Sequence, residues 1–130
     1  MSGAGASARS VKLLVVEDDG DVLALESRIL GALGAVQVAR DGLEALALIE
    51  GGFMPDVVVT DVMMPRMDGL ELAKRLKSDA KTSKIPVVIL TAKASPRDVI
   101  AGINSGARHY MTKPFTADQL LAKVKKALGR

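Results

Sequence analysis

The sequence predicts an α/β fold, a doubly wound five-stranded parallel sheet with five helices, and three observations predict it. Residues 13–16, 57–59 and 87–90 are unbroken apolar runs rich in β-branched side chains, the pattern of strands covered on both faces. Longer stretches with helical spacing separate these runs, and a strand-helix-strand alternation places helices on the faces of a parallel sheet through right-handed crossovers. The chain has 130 residues, enough for one domain with its own core and too few for two.

Each element has its own signal. Leu13, Leu14, Val15 and Val16 form the first strand, and a helix is predicted over 21–33. Residues 36–39 and 109–111 mix polar and apolar side chains, as the edges of a sheet do. Asp41 or Gly42 opens a helix over 42–51, which Gly51 and Gly52 close. The third strand leads to a helix over 68–78 and the fourth to one over 95–106, opened by Ser95 and Pro96 and ended by Gly106. The last helix, 116–128, starts at Thr116 with Gln119 three residues on, a capping box.

The composition narrows the function. At 48% hydrophobic and 25% charged the chain is no disordered tail, and with 2% aromatics its core must be Val, Leu, Ile, Ala and Met. It contains no cysteine, which excludes disulfides, zinc–thiolate sites and thiol catalysis and favours a cytoplasmic setting. Residues 1–10 are small and polar, a flexible leader without the apolar run of a secretory signal, so the domain is expected over 11–130. No stretch of sequence reaches 18 consecutive apolar residues, the length of a membrane span.

The net charge of +3 conceals a split. Residues 1–65 carry 4 Lys/Arg and 10 Asp/Glu, whereas residues 66–130 carry 14 and 5. Opposite signs in the two halves of one domain point to a shared site or to surfaces with different partners.

A doubly wound sheet binds ligands beyond the carboxyl ends of its strands. Those ends carry Glu17, Asp18 and Asp19 after the first strand, Asp61 after the third, Thr91 after the fourth and Lys113 after the fifth. Crowded carboxylates repel and call for a cation, and a few hard oxygen donors with room for water and phosphate suit Mg²⁺ better than zinc. A carboxylate in such a setting can act as a nucleophile and become an aspartyl phosphate, with Lys113 and Thr91 serving the phosphoryl oxygens.

The segments 15–19, 56–69, 91–92 and 110–115, in that order and spacing, resemble the receiver domain of bacterial two-component response regulators. That resemblance implies the strand order 2-1-3-4-5 of the flavodoxin-like (CheY-like) arrangement. It also implies Asp61 as phosphoacceptor, a metal site of Glu17 through water, Asp18, Asp61 and the backbone carbonyl of Met63, and Lys113 as the lysine that contacts the phosphoryl group. Thr91 and Tyr110 match the switch pair, and the Lys113–Pro114 bond is expected to be cis. The implied cofactor is Mg²⁺, with Mn²⁺ as a substitute. The implied partners are a histidine kinase or histidine phosphotransfer protein and an output protein. The basic second half of the chain suggests that this output protein is acidic where it meets Arg97 or Arg108, and the sequence itself argues against a nucleic-acid or membrane partner. The domain is read as a signalling switch rather than an enzyme, catalysing only its own phosphorylation and slow dephosphorylation. The switch is expected to act through the fourth helix, fifth strand and fifth helix.

Plainer readings stand beside these. Asp19 is either part of the acidic group or the cap of the first helix. Met63, Met64 and Met67 are expected as gap-filling core or lid. His109, the sole histidine, lacks any metal-ligand spacing and reads as structural. Lys123, Lys125 and Lys126 read as the solvated side of the last helix. Met63 and Lys93 sit two places after Asp61 and Thr91, where the family tunes hydrolysis of the acyl phosphate. A haloacid-dehalogenase-type phosphatase would want an Asp two residues after its nucleophile, where this chain has Met63. A nucleic-acid binder would want interleaved aromatics or a helix-turn-helix, which the sequence lacks. A phosphate-independent docking module, or a receiver excised from a larger regulator or hybrid kinase, is the remaining alternative.

Overall fold

The computed structural model describes residues 11–92 and 96–129, without the side chains of Pro96, Asp98 and Val99. The expected leader, Lys93 and Ser95 lie outside the described residues. Five strands and five helices alternate: β1 Val11–Val16, α1 Gly20–Leu30, β2 Gly34–Ala39, α2 Gly42–Glu50, β3 Val57–Asp61, α3 Gly69–Ser78, β4 Val87–Thr91, α4 Pro96–Asn104, β5 His109–Thr112 and α5 Ala117–Ala127. The strands form one parallel sheet of order β2-β1-β3-β4-β5, as the resemblance implied.

The apolar runs are buried on both faces because their alternate side chains feed two separate cores. Leu14, Val16, Val58 and Ile89 point to one side, where Ala45 and Ile49 of α2 and Leu72, Ala73 and Leu76 of α3 cover them. Leu13, Val15, Val57, Val59, Val88 and Leu90 point to the other, against Leu23 and Leu30 of α1 and Leu120 and Val124 of α5. The edge strands β2 and β5 are mostly half-buried or exposed. This two-sided burial fixes the register, since a one-residue slip would exchange the two sets of side chains.

The helix starts follow side-chain capping. Asp19 accepts from the Asp21 and Val22 amides, Asp41 and Asp68 each accept from the amide three residues on, and Thr116 and Gln119 form the expected capping box. Asp19 therefore takes the capping role of its two readings. Parallel pairing sets Thr60 beside Val16, Asp61 beside Leu90 and Thr91 beside Thr112, so the carboxyl ends of four strands meet along one rim.

Candidate functional site

The rim gathers the charged residues that the strand ends supply. Lys113 follows β5, and its Nζ donates to Glu17 Oε1 at 2.7 Å and to Asp61 Oδ2 at 3.1 Å. The side chains of Glu17 and Asp61 are only 3% and 13% exposed, so a single ammonium screens two desolvated carboxylates. Burial alone pushes the Lys113 ammonium down. The hydrogen bonds and attraction of Glu17 and Asp61 more than reverse this and hold it above its ordinary 10.5.

Backbone contacts orient both acids. Asp61 Oδ1 accepts from the Val62 amide at 2.7 Å, and Glu17 Oε2 from the Asp19 amide at 3.1 Å. The chain returns over Asp61 at the start of α3, where the Gly69 amide donates to the Val62 carbonyl and a Cβ at Gly69 would collide with the Asp61 carbonyl. Only glycine permits this approach. Thr91, 1% exposed, closes the rim on β4, where its carbonyl accepts from the Lys113 amide. The Lys113–Pro114 bond is cis, as expected. Tyr110 packs its ring against Gly102 of α4, where an added Cβ would lie 2.9 Å from the ring.

Glu17, Asp61, Lys113 and Thr91 thus come together at one end of the sheet, whereas Asp18 is exposed beside them. Among the described residues its carbonyl, not its carboxylate, is engaged, accepting from Arg40 at 3.1 and 3.3 Å. Among the described residues no three Asp, Glu, His or Cys side chains form a ready metal cluster. The physical reason is repulsion: with Lys113 between Glu17 and Asp61, a third carboxylate gains nothing by joining them. The donor set still fits Mg²⁺, which takes one or two carboxylates, keeps several waters and fills its shell with phosphate oxygens. Two carboxylates against one ammonium leave a net negative charge for such an ion to offset.

The methionines divide. Met67 is buried in the core and Met64 packs against it, as expected for gap-filling, but Met63 is 59% exposed and lies outside the core. Its neighbours explain the difference, since Pro65 and Arg66 turn the loop back and Met67 meets Gly42. His109 lies at the start of β5, half-buried and remote from the rim.

Sequence reasoning missed three residues. Glu26 sits 1% exposed on the inner face of α1 with no partner for Oε2 among the described residues, and burial, then Glu17 and Asp61 against the opposing pull of Lys113, raise its pKa to about 8. Its signal was the apolar stripe of Leu23 and Leu30, which Glu26 interrupts at helical spacing. Arg40 and Arg66 hold the two loops that border the acids, and neither stands in a pattern that reveals its partner.

Comparison with known proteins agrees with this geometry. The family model of the response regulator receiver domain matches residues 13–125. Response regulator MprA of Mycobacterium sp. (strain KMS) is 44% identical over 121 residues, covering 92% of this chain and 51% of that protein. The chain therefore spans about half the length of the curated relatives it matches. The chemotaxis response regulator CheY4 of Vibrio cholerae superimposes with a TM-score of 0.84 at 32% identity, covering 91% of this chain and 98% of that one. The signal receiver domain of a signal transduction histidine kinase from Syntrophus aciditrophicus gives a TM-score of 0.84 at 34% identity, with 92% and 91% covered. The sheet order, the acid-lysine rim and these matches lead to one conclusion: the chain belongs to the response regulator receiver domain family.

Proposed function

We propose that this receiver domain is a phosphorylation switch in which Asp61 takes a phosphoryl group from a phosphohistidine of a kinase or phosphotransfer protein. The observation that carries the reading is Lys113 Nζ held between Asp61 and Glu17. An Asp61 carboxylate oxygen forms the new bond to phosphorus as the nitrogen–phosphorus bond breaks and its electron pair stays with the histidine. The Val62 amide holds the carboxylate plane, and Lys113 and the Thr91 hydroxyl meet the charge of the transferred group. Asp18, Asp61, the Met63 carbonyl and, through water, Glu17 would hold Mg²⁺, or Mn²⁺ in its place, which would supply further neutralisation of the phosphoryl oxygens. The domain supplies this chemistry to itself and is otherwise a signalling element.

The phosphoryl group then draws Thr91 towards it and lets Tyr110 turn, which remodels the α4-β5-α5 face. That face carries exposed Ile100 and Ile103 on α4 and a groove of about 620 Å³ beside Tyr110, Met111, Pro114, Gln119 and Lys123. An output partner that is acidic beside Arg97 or Arg108 fits it, and charge reversal at either residue should weaken that contact. Among the described residues no helix is long and apolar enough to cross a membrane, and we place the switch in the cytoplasm with its kinase partner.

Incubation with acetyl phosphate and Mg²⁺ tests the assignment. The wild-type chain incorporates phosphoryl and Asp61→Asn does not; equal incorporation by both would overturn it.

A further inference from the structure

A second concentration of charge lies at the opposite end of the sheet. A cleft of about 690 Å³ opens between the end of α3, the loop before β4, the start of β5 and the end of α5. Lys77, Lys84, Arg108, Lys126, His109 and Ser83 line it, and no described lining residue is acidic. Among the described residues, none of these cations lies within ion-pair distance of a carboxylate, since the ion pairs found there belong to Arg66 and Lys113. Lys77 and Lys126 also stand in the last turns of their helices, where positive charge is favourable on its own. That explanation does not reach Lys84 and Arg108, which come from loops, nor His109 on β5.

We propose that this cleft binds a compact phosphate polyanion, a diphosphate or triphosphate group that is either inorganic or part of a nucleotide. The size falls within the range of about 300–1,000 Å³ typical of small-ligand sites. A terminal phosphate carries about −1.5 to −2 charge at neutral pH, so two or three phosphates balance the four fixed cations, and a lone carboxylate would not. Arg108 can grip two phosphate oxygens at once, the lysines act as point charges, and the Ser83 hydroxyl can donate. Ile85, Pro86 and Ala127 form an apolar wall that would favour a nucleoside over bare pyrophosphate. Burial, and then the field of Lys123, Lys126 and Arg108, holds the His109 imidazole below its ordinary 6.5. The site shares no residue with the acid-lysine rim, although Arg108, His109 and Lys126 border the α4-β5-α5 face.

His109 is the only histidine, and its ring protons therefore report on the cleft without overlap. The test is NMR titration of the whole chain with sodium pyrophosphate and with a nucleoside diphosphate, free of Mg²⁺, at about 0.15 M salt. Saturable shifts of the His109 signals and a rise in its pKa are expected. Lys84→Glu and Arg108→Glu should each weaken binding about tenfold or more, whereas Lys125→Glu, exposed on α5 beside Lys126 but outside the cleft, should change it less than threefold. Tighter binding of the nucleoside diphosphate identifies a nucleotide, and equal binding an inorganic source. Unsaturable shifts, equal loss with Lys125→Glu, or tighter binding of poly-glutamate or of an oligonucleotide would overturn the proposal. Lys84→Ala provides a milder variant, and retention of the wild-type unfolding midpoint verifies each fold. Asp61→Asn, which tests the switch, leaves the cleft intact, so the two readings fail separately.

Discussion

Arg66 and Asp41 tie the loop that follows β3 to the helix beside it. Arg66 Nε and Nη2 approach the same oxygen, Asp41 Oδ2, at 2.8 and 2.7 Å. Arg66 has φ of 65°, the left-handed region that a side chain other than glycine enters at a cost of about 1 kcal/mol. Asp41 is 4% exposed and also caps α2 through the Glu44 amide. The pair thus offsets the strain of the loop and the burial of the acid together.

Replacing Asp41 tests this coupling. Burial alone would raise the Asp41 pKa, but the Glu44 and Leu43 amides and Arg66 outweigh it and hold the carboxyl below its ordinary 3.8. A depressed folded-state value means the stabilisation is complete above 3.8 and fades as pH falls through the lower folded value. Asp41→Ala should therefore cost about 1–2 kcal/mol at neutral pH in urea unfolding, and less in strong acid. Arg66→Gly should cost less than Arg66→Ala, because glycine relieves the φ strain while losing the same contact.

Glu26 predicts a pH dependence of the opposite sense. Its folded pKa of about 8 stands above the unfolded 4.5, so the native state holds a proton that the unfolded state releases. Stability then falls as pH rises between 4.5 and about 8, by an amount on the order of a few kcal/mol, because unfolding lets the carboxyl ionise in water. Glu26→Gln should flatten that decline, and Glu26→Leu should flatten it and raise stability at about pH 8 by removing the unpartnered Oε2 from the core. Denaturant midpoints across that range decide it; equal slopes for wild type and Glu26→Gln would refute the protonated assignment.

The contrast between these residues shows where sequence reading succeeds. β1, β3 and β4 are legible because covering both faces demands unbroken apolar runs, and the rim residues are legible because they follow those runs immediately. β2 is less so: it begins at Gly34, two residues before its apolar pattern, since pairing with Val11 rather than side-chain propensity sets its start. α4 ends at Asn104, short of the predicted 106, because the Ser105 hydroxyl donates to the Gly102 carbonyl and Gly106 takes φ of 105°. The Lys113–Glu17 contact spans 96 positions and Arg66–Asp41 spans 25, and no local pattern encodes either. The basic cleft likewise unites residues from four separate segments.

Tyr110 offers a direct readout of the proposed switch, because it is the only tyrosine in a chain without tryptophan. Its fluorescence should change when acetyl phosphate and Mg²⁺ are added, and Asp61→Asn should abolish the change. Gly102→Ala would set a methyl 2.9 Å from the ring, so the ring must move before any phosphorylation. The variant should start from a different fluorescence and show a smaller response. An unchanged signal in wild type under conditions that phosphorylate Asp61 would remove Tyr110 from the switch.

Lys113 carries two roles that a metal can separate. Without it, Glu17 and Asp61 face each other largely desolvated, and Lys113→Ala should lose about 3 kcal/mol of stability in metal-free buffer. Because the folded pKa of Lys113 lies above 10.5, this difference is complete below 10.5 and shrinks only as pH rises through the folded value. Mg²⁺ should raise the unfolding midpoint of Lys113→Ala more than that of wild type, since the uncompensated acids bind it more tightly. Phosphoryl transfer should remain impaired at saturating Mg²⁺ if, as proposed, the Lys113 ammonium meets the transferred group. Full recovery of transfer would reduce Lys113 to a structural counter-ion.

In the proposed switch, Met63 should bear on how long the signal lasts. It stands two residues after Asp61, 59% exposed, and its thioether side chain has no group able to orient a water for attack on the acyl phosphate. Slow self-dephosphorylation is expected. Met63→Asn places an amide at that position and should shorten the phosphoryl lifetime by roughly tenfold, below the full effect of a general base. The exposed position keeps the fold out of the comparison, since no core contact is lost. Decay of the phosphorylated form after removal of acetyl phosphate measures both lifetimes under identical Mg²⁺, and equal values would show that water reaches the phosphorus without help from this residue.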